Sequence, residues 1–215
     1  MSKEFSLAWT LEEFLTQAAS GAPTPGGGSV AAYTAALGFA MLSMAANLTV
    51  GKEKYRAVEA EARRVLREAA AGAEKACAGV AADIRVFEEY MRAYKAPRDD
   101  PEAAARRRRD LAAAARAAAL TPLELARDCA VGLRLAVALA PVGNTGVISD
   151  VGAAACLLDG ALESALLSVD VNLAQIDDPA FTEPIRRESE GLRRESAALR
   201  AGTLAAVSRG MGLVN

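Results

Sequence analysis

From Phe14 to Gly51 the chain carries no charged side chain. An apolar stretch of that length must be covered, either by the rest of the protein or by lipid. Its head, Pro23-Thr24-Pro25-Gly26-Gly27-Gly28-Ser29, breaks regular structure, and Thr34, Ser43, Asn47 and Thr49 are scattered through the remainder. Those residues argue against a membrane span. They favour the central helix of a soluble bundle, lying at a subunit interface or wholly inside one chain.

The rest of the sequence fits that reading. The apolar share, 52% of 215 residues, comes mostly from alanine, with only 5% aromatic residues. Alanine is the best helix former, and its small side chain lets helices approach closely. No alternating β-branched run suggests a strand. Residues 1–215 therefore read as a single all-α domain, an up-and-down bundle of about seven helices, two of them long.

Local signals set the expected boundaries. Thr10-Leu11-Glu12-Glu13 is a capping box that opens a short helix. Ser29 is expected to cap the uncharged helix, which stops at Gly51. A very long helix then runs from about Lys52 to Tyr94, and Pro97 ends it. Asp100-Pro101 restarts the helix, and Thr121-Pro122-Leu123-Glu124 reads as a second capping box that splits this region in two. Ser149 or Asp150 opens the next helix, to about Asn172. The last is expected from about Thr182 to Ser208.

Composition also excludes several kinds of chemistry. A net charge of −2 supplies no basic field for nucleic acid, and Arg106–Arg109 reads as a solvated helix face. The chain has no histidine, which removes Ser-His-Asp and Cys-His nucleophiles and every His-ligated metal site. Cys77, Cys129 and Cys156 show no metal or redox spacing, so no metal is expected. The opening MSKEFSLAWTLEEF lacks the apolar run of a secretory signal, and a cytoplasmic location is expected.

Several positions can carry chemistry. Gly26, Gly27, Gly28 and Ser29 form a helix entrance whose free N–H groups can hold an anion or a polar heterocycle; a tight loop with a serine cap is the plain alternative. Asn47, Lys52, Lys54 and Tyr55 flank the far end of that helix. The two lysines can neutralise a carboxylate-rich ligand or simply be solvated. Asp83 falls within the apolar stripe Ala76, Val80, Ile84, Phe87 and Met91. Burial there would raise its pKa toward neutrality and suit it to proton transfer, unless it pairs with an arginine or caps a helix. Asn144 and Asp150 surround a helix start, where Asp150 can serve as an N-terminal anion. Glu163 is either a structural carboxylate or a second polar group of the pocket. Asn172 can close the helix or bind ligand, and the cap is the preferred reading.

Four segments together resemble the cyclodeaminase/cyclohydrolase family. They are PTPGGGSVAAYTAALGFAMLSMAANLTVGKEKY (residues 23–55), DIRVFEEYMRAYKAPRD (83–99), TPLELA (121–126) and GNTGVISDVGAAA with ALESALLSVDVNL (within 143–173). The chain departs from the family pattern at Ser168 and Asp170, where Asn and Arg are expected. The resemblance implies a dimeric helical bundle that binds a tetrahydrofolate derivative as substrate, with no tightly bound cofactor. It implies formiminotetrahydrofolate cyclodeaminase activity first: ring closure to methenyltetrahydrofolate with release of ammonia. Methenyltetrahydrofolate cyclohydrolase, or a folate-binding module without catalysis, is the alternative. On this reading Asp83 and Asp150 carry protons or balance the cationic one-carbon unit. Asn144 and Gly26–Ser29 orient the pterin, while Lys52 and Lys54 meet the glutamate tail.

Overall fold

The computed structural model describes residues 9–213, so most of the N-terminal segment read as non-secretory lies outside the described residues. The elements are α1 (Leu11–Ala18), α2 (Gly27–Asn47), α3 (Glu59–Lys95), α4 (Pro101–Leu139), α5 (Ile148–Leu173) and α6 (Pro179–Gly210). Single 3-10 segments, Glu53–Val58 and Thr145–Val147, precede α3 and α5. No strand occurs among the described residues.

There are six α-helices rather than seven because α4 runs unbroken through Thr121-Pro122. Proline removes one helical N–H and leaves the carbonyl four residues back without its donor. Here that carbonyl belongs to Ala118, and the Asn172 side-chain amide of α5 donates to it at 2.7 Å. The lost bond is thus replaced from another helix, and the expected break does not occur. Asn172 itself lies inside α5, not at its cap.

Other boundaries moved for local reasons. The Thr10–Glu13 capping box forms as read, with both reciprocal bonds present. Gly51 ends the α2 region with a positive φ of 73°, a conformation that favours glycine. Residues 53–58 coil as a 3-10 turn before α3 begins at Glu59. Asp178 caps α6 from its side chain, so that helix starts at Pro179 rather than Thr182.

α2, α3, α4 and α5 form an antiparallel four-helix ring, with α2 against α3 and α5, and α4 against the same two. The direction follows from paired positions: across α2 and α3 Gly28 meets Asp83 and Phe39 meets Gly72, and across α2 and α5 Gly38 meets Leu158 while Thr49, just past α2, meets Asn144, just before α5. α6 lies outside the ring against α4 and α5. It runs parallel to α4, held by Arg127–Glu188 and Arg134–Glu195 ion pairs.

Small residues set the helix spacing. Phe39 is 1% exposed, and its ring occupies a notch formed by Gly72 of α3 and Gly132 of α4. A methyl group at either glycine would lie 2.5 Å or 2.8 Å from ring carbons, inside contact distance. α2 and α5 are long and apolar enough to cross a membrane, but 56% and 50% of their most apolar windows pack inside the bundle.

Candidate functional site

The glycine-rich entrance and the carboxylate of the apolar stripe meet. α2 begins at Gly27 with Gly26 as its cap residue, and no side chain caps it locally. Ser29 is therefore in the first turn and is not the cap expected from the sequence. Its hydroxyl points across to α3 and donates a 2.6 Å hydrogen bond to Asp83 Oδ2. The anion at this helix entrance is thus the protein's own Asp83. Gly28 permits the approach: a Cβ there would lie 2.7 Å from the Asp83 Cγ.

Two opposing effects act on Asp83. Burial raises its pKa above the ordinary 3.8, and the hydroxyl and backbone of Ser29 pull it back without cancelling the rise. The result is a carboxyl group with one oxygen held and more affinity for a proton than a surface aspartate has.

Asp83 stands where two clefts join. The larger, about 700 Å³, is lined by the entrance loop and Val30, by Val86, Phe87 and Tyr90 of α3, by Ala118, Thr121 and Pro122 of α4, and by Ser164, Leu167, Ser168, Val171, Asn172 and Gln175 near the end of α5. The smaller, about 350 Å³, follows the α3–α4 groove past Lys75, Arg85, Glu124 and Asp128. Gly28, Asp83, Thr121 and Pro122 line both. Volumes of this order suit a small organic ligand.

The remaining sequence candidates lie elsewhere. Asn47, Lys52, Lys54, Tyr55 and Asn144 gather at the opposite end of α2, about 30 Å away by the rise of a 21-residue helix. There the Asn144 amide donates to the Leu48 carbonyl at 2.8 Å, and the Asn144 backbone N–H donates to Thr49 at 2.9 Å. The Tyr55 hydroxyl donates to Asn144 Oδ1 and accepts from the Thr145 N–H. Bonding to Thr145 holds that phenol below its ordinary pKa. The Lys54 ammonium sits 5.3 Å from the centre of the Tyr55 ring. Asp150 is in the first turn of α5, at this same end. Within one chain, Asp83 and Asp150 do not share a cleft among the described cavities.

Glu163 faces the α6 side, where it pairs with Arg193 at 3.2 Å. Asp170 pairs with the same arginine at 2.7 Å. Both acids are accounted for by this structural pairing. Sequence reasoning did not single out Tyr90 and Thr121 as cleft residues. Phe87 and Tyr90 follow Asp83 by four and seven positions on one helix face, a spacing that was available to find them.

A family model described as Formiminotransferase-cyclodeaminase matches residues 10–191. The chain belongs to the formiminotransferase-cyclodeaminase family. It is 42% identical to the methenyltetrahydrofolate cyclohydrolase of Methylorubrum extorquens, with 88% of this chain and 91% of the relative covered. It is 36% identical to the formimidoyltransferase-cyclodeaminase of Sus scrofa, over 86% of this chain but 34% of that longer protein. The crystal structure of formiminotetrahydrofolate cyclodeaminase from Thermotoga maritima superposes with a TM-score of 0.78 at 28% identity, covering 95% of this chain and 96% of the other. Within the family, the chain thus matches stand-alone members along nearly their whole length and about a third of the longer enzyme.

Proposed function

We propose that the chain is an enzyme acting on the one-carbon bridge of a tetrahydrofolate, and that its principal reaction is hydrolysis of methenyltetrahydrofolate. The near end-to-end match at 42% identity to a cyclohydrolase carries this choice. Asp83 supports the chemistry. Water adds to the cationic methenyl carbon and loses a proton as the C–O bond forms. The tetrahedral intermediate then collapses: the C=O of the formyl group forms as one C–N bond breaks, the hydroxyl proton leaves, and the departing ring nitrogen takes up a proton, so one proton is released to solvent overall. A single carboxyl with a raised proton affinity, beside a cleft of suitable size, can accept the first proton and return the second. Its negative form also balances the charge of the bound cation.

Cyclodeaminase activity is the second reading, favoured by the superposition on the Thermotoga enzyme. It uses a similar intermediate: the neighbouring arylamine nitrogen attacks the protonated formimino carbon, its proton passes to the amino group, and ammonia leaves. The proposal includes a cytoplasmic homodimer that needs no resident cofactor and has no membrane or nucleic-acid partner. Two absorbance assays test it, one following loss of the methenyl chromophore and one following its formation from formiminotetrahydrofolate. Turnover in the first supports the principal reading, turnover only in the second shifts the assignment to cyclodeaminase, and silence in both rejects the enzyme.

A further inference from the structure

We infer that Thr121 is a second catalytic group beside Asp83, its hydroxyl holding the attacking water against Oδ1 of that carboxylate. The inference rests on the hydrolysis reading for its reaction and on four structural observations for its geometry.

The first is a motif left without an occupation. Thr121-Pro122-Leu123-Glu124 has the pattern of a capping box, yet α4 runs through it and no helix begins there. Capping therefore does not account for the threonine.

The second is an uncommitted hydroxyl. A threonine in a helix often turns its hydroxyl back onto the carbonyl four residues earlier. Thr34 bonds to Val30, Thr49 to Ala45 and Thr203 to Leu199 in this way, at 2.8–2.9 Å. The Thr121 hydroxyl has no hydrogen-bond partner among the described residues.

The third is its position. Gly28, Asp83, Thr121 and Pro122 line both clefts. Glycine and proline offer no polar side chain, so Asp83 and Thr121 are the pair able to hold a water where the clefts join. Asp83 Oδ2 is taken by the Ser29 hydroxyl at 2.6 Å. Oδ1 fills the space that a Gly28 side chain would need, within the lining of both clefts. It receives no bond from another side chain among the described residues.

The fourth is that the turn carrying Thr121 is held in place. The Asn172 amide of α5 bonds the Ala118 carbonyl at 2.7 Å, and Asn172 lines the larger cleft itself. The hydroxyl is thus presented from a helical turn tied to the opposite wall.

A water between the two groups donates one hydrogen to Asp83 Oδ1 and the other to Thr121 Oγ1. Its lone pair is then free to meet the methenyl carbon. As the C–O bond forms, the electron pair of the C=N bond moves onto nitrogen and the first proton passes to Asp83. Thr121 keeps its own proton and contributes orientation.

Thr121→Val tests the inference, because valine keeps the branched shape and removes the hydroxyl. Loss of methenyltetrahydrofolate absorbance should show kcat reduced roughly tenfold, with KM within about twofold of wild type. The melting temperature should not change, since no bond within the protein is lost. Thr121→Ser should recover most of the turnover. In an Asp83→Asn background Thr121→Val should cost almost nothing further, because both side chains act on one water. Full activity of Thr121→Val beside an active wild type overturns the water site and leaves the hydrolysis reading standing. A loss that serine does not rescue, that accompanies a lower melting temperature, or that multiplies fully with Asp83→Asn also overturns it. A wild type that does not hydrolyse methenyltetrahydrofolate removes the reading itself, and the water site with it.

Discussion

Gly28 and Asp83 are in contact because one of them has no side chain. The carboxylate occupies the volume that any Cβ at position 28 would need. Gly28→Ala should strengthen α2 by propensity, by about 1 kcal/mol, yet displace Asp83 from Ser29. The expected outcome is a folded protein with turnover reduced about 100-fold, the usual contribution of a positioned proton carrier. Circular dichroism and a chromophore assay measure the two effects separately. An active Gly28→Ala enzyme would show that the carboxylate position is not needed.

Asp83 also links pH to stability. Its folded pKa is raised, so between the unfolded value near 3.8 and the folded value the native state binds more protons than the unfolded chain. Stability therefore falls as pH rises through that window, and the full penalty persists above it. Asp83→Asn should melt higher than wild type at neutral pH, and the advantage should shrink as pH drops toward 3.8. Under the proposed mechanism activity has the opposite dependence, because Asp83 must be ionised to accept a proton. The acidic limb of the turnover profile should lie above the ordinary aspartate range. Equal melting curves across pH would remove the buried-carboxylate argument.

The Asn172–Ala118 bond predicts a thermodynamic coupling. Asn172→Ala leaves the Ala118 carbonyl without a donor, at a cost of roughly 1–3 kcal/mol. In a Pro122→Ala background residue 122 regains its N–H, and the same substitution should cost about 1 kcal/mol less. Urea melts of the four proteins measure the difference. Strict additivity would mean that the amide does not replace the missing helical bond.

The notch around Phe39 predicts intolerance of a single methyl group. Gly72→Ala and Gly132→Ala should each destabilise the bundle by about 1–3 kcal/mol through overpacking, lowering Tm by roughly 3–8 °C. Phe39→Leu should relieve part of the Gly72→Ala penalty. Calorimetry decides; an unchanged Tm in both glycine variants would show that the helices separate freely.

The sequence made the helices legible wherever their ends are set locally. The Thr10–Glu13 box, Gly51 and Asp100-Pro101 act through neighbours in the chain, and each works as read. Thr121-Pro122-Leu123-Glu124 has the same signature but does not start a helix, because the answer to Pro122 comes from Asn172, fifty residues later. Asp83 was legible as a carboxylate among apolar positions, whereas its partner Ser29 was read as a local cap. Glu163 shows the same limit: its apolar neighbours leave a structural carboxylate and a pocket group both open, and Arg193 of the next helix selects the first. Periodicity shows which face a residue occupies, but not which end of an antiparallel neighbour it meets. That is why the resemblance puts Asn144 with Gly26–Ser29 and Asp150 with Asp83, although in one chain both lie a helix length away.

The glycine notch that seats Phe39 has a consequence beyond the core. α2 and α3 share one spacing along their length, fixed at Gly72 and read out at Gly28 by the carboxylate of Asp83. Anything that wedges these helices apart deep in the interior also tilts the Asp83 carboxylate relative to its serine. The aromatic ring thus works as a spacer gauge, and substitutions that never touch a ligand can shift the carboxylate of Asp83, and with it the proposed chemistry, from several turns away.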